Sequence, residues 1–255
     1  MKTIPLFALL LLLALPSAIF AQEVKTPGAK VLIEELAFDF GYIPAGSIVS
    51  HSYMLQNVGP DSLRILKVQP GCGCTKAPLK KDVVGAGESA DVELVYTSNK
   101  QGQGAFSKSA TVSTNDLTRP NFQLSFKGKS YDHADSLQPL VLSSGEIKWD
   151  AVTKSKEAKL VVKNVSASAV TMQLISAPSG YFSVSLPESE IKPGKEKEIK
   201  VKFDRSVTEE QFKKSFTFAV NDSANTHYTI PMSLAKSPDM TQVQPEVKKE
   251  AAGNH

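Results

Sequence analysis

Apolar and polar residues alternate along most of the chain. In "VSHSYMLQN" at 49–57, Val49, Tyr53 and Leu55 share one face, with His51 between them. In "ADVELVYTS" at 90–98, Val92, Leu94 and Tyr96 face one way, and Asp91, Glu93 and Val95 the other. "EIKVKF" at 198–203 sets Ile199, Val201 and Phe203 against Lys200 and Lys202. A period of two marks a half-buried strand. Turn signals such as Val58-Gly59-Pro60-Asp61 and Lys192-Pro193-Gly194 separate the runs. Helical periodicity is nearly absent. Residues 207–214 offer one turn at most, because they align with a Gly-rich loop earlier in the chain.

That alignment reflects an internal repeat. At an offset of 107, Asn57 meets Asn164, Leu63 and Ile65 meet Val170 and Met172, and Gly87 meets Gly194. Val92, Leu94 and Tyr96 meet Ile199, Val201 and Phe203. After a one-residue deletion the offset is 106. Ala110 and Val112 then meet Phe216 and Phe218, Asn115 meets Asn221, and Phe122, Leu124 and Phe126 meet Tyr228, Ile230 and Met232. Apolar class and spacing persist where identity does not, which is the mark of a tandem duplication. About seven short strands in about 100 residues is the sandwich pattern. The expected fold is all-β: two tandem Ig-like antiparallel β-sandwiches at 31–130 and 140–236. Residues 131–139 (YDHADSLQP) form a polar linker between them, 22–30 a leader, and 237–255 a polar tail expected to be disordered. Each unit is expected to fold separately. In the second unit Leu160, Val162, Val201, Phe203, Phe216 and Ile230 complete a core without cysteine.

The first residues set the compartment. Lys2, the apolar run at 6–15 and Ala18-Ile19-Phe20-Ala21 have the form of a signal peptide, cut after Ala21. The run is short for a membrane span, which needs about 20 apolar residues. The mature chain is expected to be exported, to the periplasm or the cell surface, without membrane insertion and where disulfides persist. The net charge of +3 in 255 residues is too small to imply nucleic acid or an anionic membrane as partner.

Enzyme motifs are wanting. "GAGES" at 85–89 lacks the GK[ST] of a phosphate loop and leads into a strand, so it reads as a turn. Neither GxSxG nor HExxH occurs. His51, His133, His227 and His255 fall on a strand, the linker, a strand and the tail, without metal-ligand spacing. His51 on an inward face reads as a satisfied core histidine. The lysines at 192–202 alternate with glutamates and apolar residues, as on a solvated strand face. Asn164-Val165-Ser166 and Asn221-Asp222-Ser223 are glycosylation sequons only in a host that N-glycosylates.

Chemistry concentrates in "QPGCGCTK" at 69–76, which holds Cys72 and Cys74, the chain's two cysteines. The pair is expected in a turn after a strand at 63–68, because Pro70 and Gly71 stop the strand and Gly73 permits the bend. Three readings stand side by side. A local disulfide would brace the loop; with about three residues enclosed it stabilises by roughly 1.6 kcal/mol. A thiol–disulfide couple could use Lys67 and Lys76 to favour the thiolate. A soft-metal site for copper(I) or zinc would take two thiolates, with no third ligand evident. The second unit lacks the pair, so the architecture does not need it.

The run "FDFGYIPAGSIVSHSYMLQNVGPDSLRILKVQPGCGCT", followed by "GAGESADVELVYTS" and "SATVSTN", resembles the bacterial domain-of-unknown-function 1573 family. These are exported Ig-like modules related to the abnormal-spindle, hydin and major-sperm-protein sandwiches. The resemblance rests on FDFG at 38–41, His51 with Asn57-x-Gly59, QPGCGCT at 69–75 and the turn at 87–89. It covers about 95 residues. The second unit keeps the strand pattern but carries Ser179-Gly180 and Trp149-Asp150 where those motifs fall. The resemblance implies a fold and export, with no reaction and no cofactor to carry over. The resulting expectation is a non-enzymatic envelope binding or scaffold protein whose partner is an envelope protein or polysaccharide. The alternative is redox or copper/zinc handling through Cys72 and Cys74.

Overall fold

A computed structural model describes residues 28–100, 104–150, 157–204, 206–208 and 211–235. The expected signal peptide, all but the end of the leader, and the tail lie outside the described residues. The first unit runs β1 (Val31–Ile33), β2 (Ala37–Pro44), β3 (Ile48–Asn57), β4 (Leu63–Pro70), β5 (Thr75–Lys76), β6 (Val83–Val84), β7 (Ser89–Thr97), β8 (Gly104–Thr114) and β9 (Asn121–Tyr131). The second runs β10 (Leu140–Leu142), β11 (Ile147–Asp150), β12 (Glu157–Asn164), β13 (Met172–Ser176), β14 (Phe182–Ser185), β15 (Glu196–Phe203), β16 (Phe212–Val220) and β17 (His227–Ala235). The turn expected at 207–214 lies partly outside the described residues, and Phe212–Lys214 are already strand, in β16.

Two small sheets, β1-β3-β7-β5 and β10-β12-β15-β14, each cover part of a long sheet ordered β13-β16-β17-β2-β9-β8-β4-β6. Each sandwich encloses its own core. Phe40, Val49, Leu94 and Leu124 fill the first; Leu160, Ile199, Phe216 and Ile230 fill the second. The alternating positions of the sequence supply these side chains. Most ladders are antiparallel; β2–β9 and β11–β17 are parallel, because the first strand of the long sheet in each unit lies beside the last, and the β17–β2 pairing between units is parallel too.

The duplication is legible in the hydrogen bonds. Asn57, fully buried, donates through Nδ2 to the Asp61 and Val84 carbonyls and accepts from Gly59 N. Asn164 donates to Ser168 and Ile191 and accepts from Ser166 N, all at an offset of 107. The two asparagines tie strand ends to facing turns and satisfy backbone groups that would otherwise be buried unpaired. Asn164 is therefore consumed structurally, and its sequon is not an exposed acceptor.

The two units, each with its own core, are joined along the long sheet. β17 pairs with β2 at Tyr228↔Tyr42, which makes the long sheet continuous across both. The connector at 131–139 is packed: Tyr131 and Leu137 belong to the second core, and Ala134–Ser136 is a 3-10 turn.

Candidate functional site

The Cys72–Cys74 turn is the crossover by which the chain leaves the long sheet at β4 and enters the small sheet at β5. Gly71 N donates to Ser109 O on β8, and Thr97 N on β7 donates to Cys74 O. The two sulfurs form a disulfide, with Cα atoms 5.3 Å apart. Both cysteines are half-buried, and Cys74 packs against the first core. The Thr75 hydroxyl lies 3.5 Å from Cys72 Sγ. Among the described residues no group of three or more His, Cys, Asp or Glu converges as a metal site.

A second feature escapes the sequence reading: the junction between units. Lys214 Nζ donates to both carboxylate oxygens of Glu93, at 2.6 and 2.8 Å, and both side chains are 11 % exposed. The Lys214 ammonium also sits 4.8 Å from the centre of the Tyr181 ring, a cation–π contact. Ser215 Oγ donates to Ser50 O and accepts from Ser50 N. Thr229 Oγ1 donates to Phe40 O, and His227 Nδ1 donates to Asp39 O. Gly41 closes the seam. Its φ is +61°, and a Cβ there would lie 2.1 Å from the His227 carbonyl oxygen. The glycine of FDFG is thus a residue of the interunit junction, required for both its backbone angle and close approach.

His51 lies at the mouth of this junction. It stacks on Phe38 at 3.6 Å, its Nε2 donates to Glu35 Oε2 at 3.0 Å, and Nδ1 accepts from Ser176 Oγ of the second unit at 3.2 Å. Burial holds its pKa below the ordinary value, against the opposing pull of the Glu35 carboxylate. It is a satisfied, neutral core histidine. Burial likewise pushes the Tyr53 and Tyr228 hydroxyls well above their ordinary range. A cleft of about 530 Å³ opens beside the junction, lined by His51, Lys80, Asp91 and Glu93 from the first unit and by Ser176 and Tyr181 from the second. Neither cysteine lines it.

His133 stands exposed in the connector and His227 in the seam, far apart in role; His255 lies outside the described residues. The lysines of β15 form the solvated face expected of them, with Lys159–Glu198 at 2.9 Å and Lys163–Glu196 at 3.7 Å across strands. "GAGES" is a turn: Gly87 has φ +75°, and the Glu88 carboxylate accepts from Gly85 N and Lys81 Nζ. Sequence reasoning missed Glu93, Lys214, Ser215 and Thr229. Alternation marks Glu93 as outward, and outward it is; nothing in a period of two reveals a neighbouring domain lying over it. The repeat offers one signal, since Glu93 aligns with Lys200, a reversed charge on otherwise matching strands.

Residues 31–130 match the family described as "Protein of unknown function (DUF1573)", and residues 146–232 match "HYDIN/CFA65/VesB-like, Ig-like domain". None of the curated proteins matches the chain. Among solved structures it is similar to a protein of unknown function from Porphyromonas gingivalis W83, at 12% identity over 80% of this chain and 98% of that one, with a TM-score of 0.34. It is also similar to PapD-like domain 7 of human CEP192, at 15% identity, 50% and 99% coverage and a TM-score of 0.36. For the periplasmic chaperone SfaE the values are 8%, 81% and 100%, and 0.33. The first unit, with its FDFG and CGC motifs, is thus matched along its whole length by the DUF1573 family, and the second by an Ig-like domain of the HYDIN/CFA65/VesB-like kind.

Proposed function

We propose that the protein is an exported, non-enzymatic binding or scaffold component of the cell envelope, in the periplasm or at the cell surface, and that its partner is an envelope protein or polysaccharide. The observation that carries this reading is the junction. Backbone pairing, a buried ion pair and several hydroxyl and histidine hydrogen bonds fix the two sandwiches in one orientation. A fixed pair of sandwiches presents sheet faces and loops at set distances, which suits recognition. Fold class by itself does not assign a partner. The test is a pull-down from native envelope with the full tagged chain. A partner retained specifically, and displaced by excess untagged protein, supports the reading. Failure to retain any component would overturn it.

A second reading keeps Cys72 and Cys74 as a thiol–disulfide couple. It starts from the second unit, where Ser179-Gly180-Tyr181 makes the equivalent crossover from β13 to β14 without sulfur, so the crossover itself does not require the disulfide. The disulfide would accept two electrons and two protons from a partner dithiol, which would itself become a disulfide. Thiol labelling after exposure to a protein dithiol separates a cycling couple from an inert brace. Copper(I) or zinc handling by the reduced pair is tested in the same preparation, by metal content.

A further inference from the structure

The cleft beside the junction is built by both units. Its floor is the outer face of the first unit's small sheet, where β3 and β7 lie side by side. Along β3, Val49, His51 and Tyr53 turn toward the core, so Ser50 and Ser52 face out. On β7, Val92 and Leu94 are core residues, and Asp91 and Glu93 face out. One wall is the second unit's crossover, Ser176 to Tyr181, with Lys214; the other is the first-unit stretch from Pro78 to Lys81. Lys80 Nζ donates to the Tyr181 hydroxyl at 3.4 Å and joins the two walls. The cleft holds about 530 Å³, within the range of small-ligand sites, roughly 300–1,000 Å³. Its polar groups are unevenly used. Glu93 is taken up by Lys214. Ser50 is only 8 % exposed, and its N–H and carbonyl are engaged by Ser215 Oγ. Yet among the described residues the Ser50 hydroxyl has no hydrogen-bond partner, and it is not sealed off from the cleft. The Asp91 carboxylate and the Ser52 and Ser179 hydroxyls, also in the lining, have none either.

We infer that this cleft is a saccharide site, which takes a short segment of a neutral glycan between the two units. Serine hydroxyls donate and accept, and a carboxylate accepts from two hydroxyls at once, so the unpartnered groups match the donors and acceptors around a sugar ring. The charges of the cleft are balanced. Lys80, Lys81 and Lys214 stand against Asp91, Glu93 and Glu88, the last paired with Lys81. A strongly charged ligand therefore meets no net field. A polypeptide does not fit the same surface. Main-chain recognition needs an open strand edge, and the backbones of β3 and β7 are spent in their own ladder, from Ile48↔Thr97 to Gln56↔Ser89. The lining also lacks an apolar pocket for an anchoring side chain. Apart from the Tyr181 ring, which already carries Lys214, its apolar members are alanines and prolines. The inference rests on the binding reading and narrows it to a polysaccharide and a site.

The test titrates the full chain with neutral oligosaccharides of glucose, galactose, mannose and N-acetylglucosamine, and with an acidic one of galacturonate. Binding is read from backbone amide shifts in NMR spectra. At least one neutral member should bind and move the amides of Ser50, Ser52, Asp91 and Ser179 together; the acidic one should not bind. Asp91→Ala should weaken that binding at least about tenfold, the scale of lost hydrogen bonds to a charged group. Thermal unfolding should stay unchanged, because the Asp91 carboxylate holds nothing in the free protein. Ser50→Ala, which removes only the unpartnered hydroxyl, should weaken binding too, and Lys159→Glu on the solvated face should leave it unchanged. No binding by any neutral member, tighter binding of the acidic one, shifts that map outside the cleft, or indifference to Asp91→Ala and Ser50→Ala would each overturn the assignment. A protein partner retained in the pull-down would then leave the binding reading standing.

Discussion

The two units build the same crossover with different chemistry. In the first, Cys72-Gly73-Cys74 carries the chain between sheets with a disulfide, and the turn belongs to one domain. In the second, Ser179-Gly180-Tyr181 does so with an aromatic ring, which packs edge-on to Phe212 at 5.3 Å and lies over the Lys214 ammonium. The second unit has the same topology without sulfur, so topology resides in the strand pattern and the turn fills are exchangeable. The outer faces differ in the same way. Ser215 and Thr217 are buried and Ser109 and Thr111 only half-buried, although both pairs stand on matching strands. A duplicated fold thus supplies duplicated surfaces, and the junction uses one of each.

Several substitutions probe this difference. Gly41→Val should have the largest effect, a loss of at least about 4 kcal/mol, because neither the backbone angle nor the His227 carbonyl accommodates a side chain. Urea unfolding gives the value; a mild loss would show that the seam is not tightly closed. Lys214→Ala should cost about 3–5 kcal/mol by stranding the buried Glu93 carboxylate, whereas Lys108→Ala should stay within about 0.5 kcal/mol. Equal costs would erase the distinction between the lysine paired across the junction and its unpaired counterpart in the repeat.

For the crossovers, Tyr181→Ala should cost about 2 kcal/mol, roughly half of a fully buried aromatic truncation, since the ring is half-buried. Replacement of both cysteines by serine should cost about 1.6 kcal/mol by loop entropy. A much larger loss in the cysteine variant would make the disulfide an architectural element after all. The smallest effect concerns pH. His51 has a folded pKa below its unfolded value of 6.5, so the unfolded chain takes up a proton that the native state refuses. The histidine has no effect on stability well above pH 6.5, and stability falls as pH drops below that value and through the folded pKa. His51→Gln should flatten this acid slope, as read from unfolding midpoints across the window; an unchanged slope would assign it to other groups.

Strand positions, the repeat and the core were legible in the sequence because burial on one face imposes a period of two, and that face is filled by Val92, Leu94, Ile199 and Phe216 as expected. The turn that holds Cys72 and Cys74 was legible because Pro70, Gly71 and Gly73 restrict the backbone locally. The junction was not. Glu93, Lys214, Ser215 and Thr229 are ordinary outward or strand-end polar residues, and their meaning lies in a packing between units that local periodicity does not encode. Gly41 was noticed as part of a motif, yet its reason, the approach of His227, lies 186 positions away.

The central claim is that the two sandwiches are one locked body. Trp149 is the chain's single tryptophan and lies buried in the second core, so its fluorescence follows that unit, while far-UV circular dichroism follows both. In urea the two signals should trace one coincident transition, and Lys214→Ala should pull them apart. Separate transitions in the unsubstituted protein would contradict the claim.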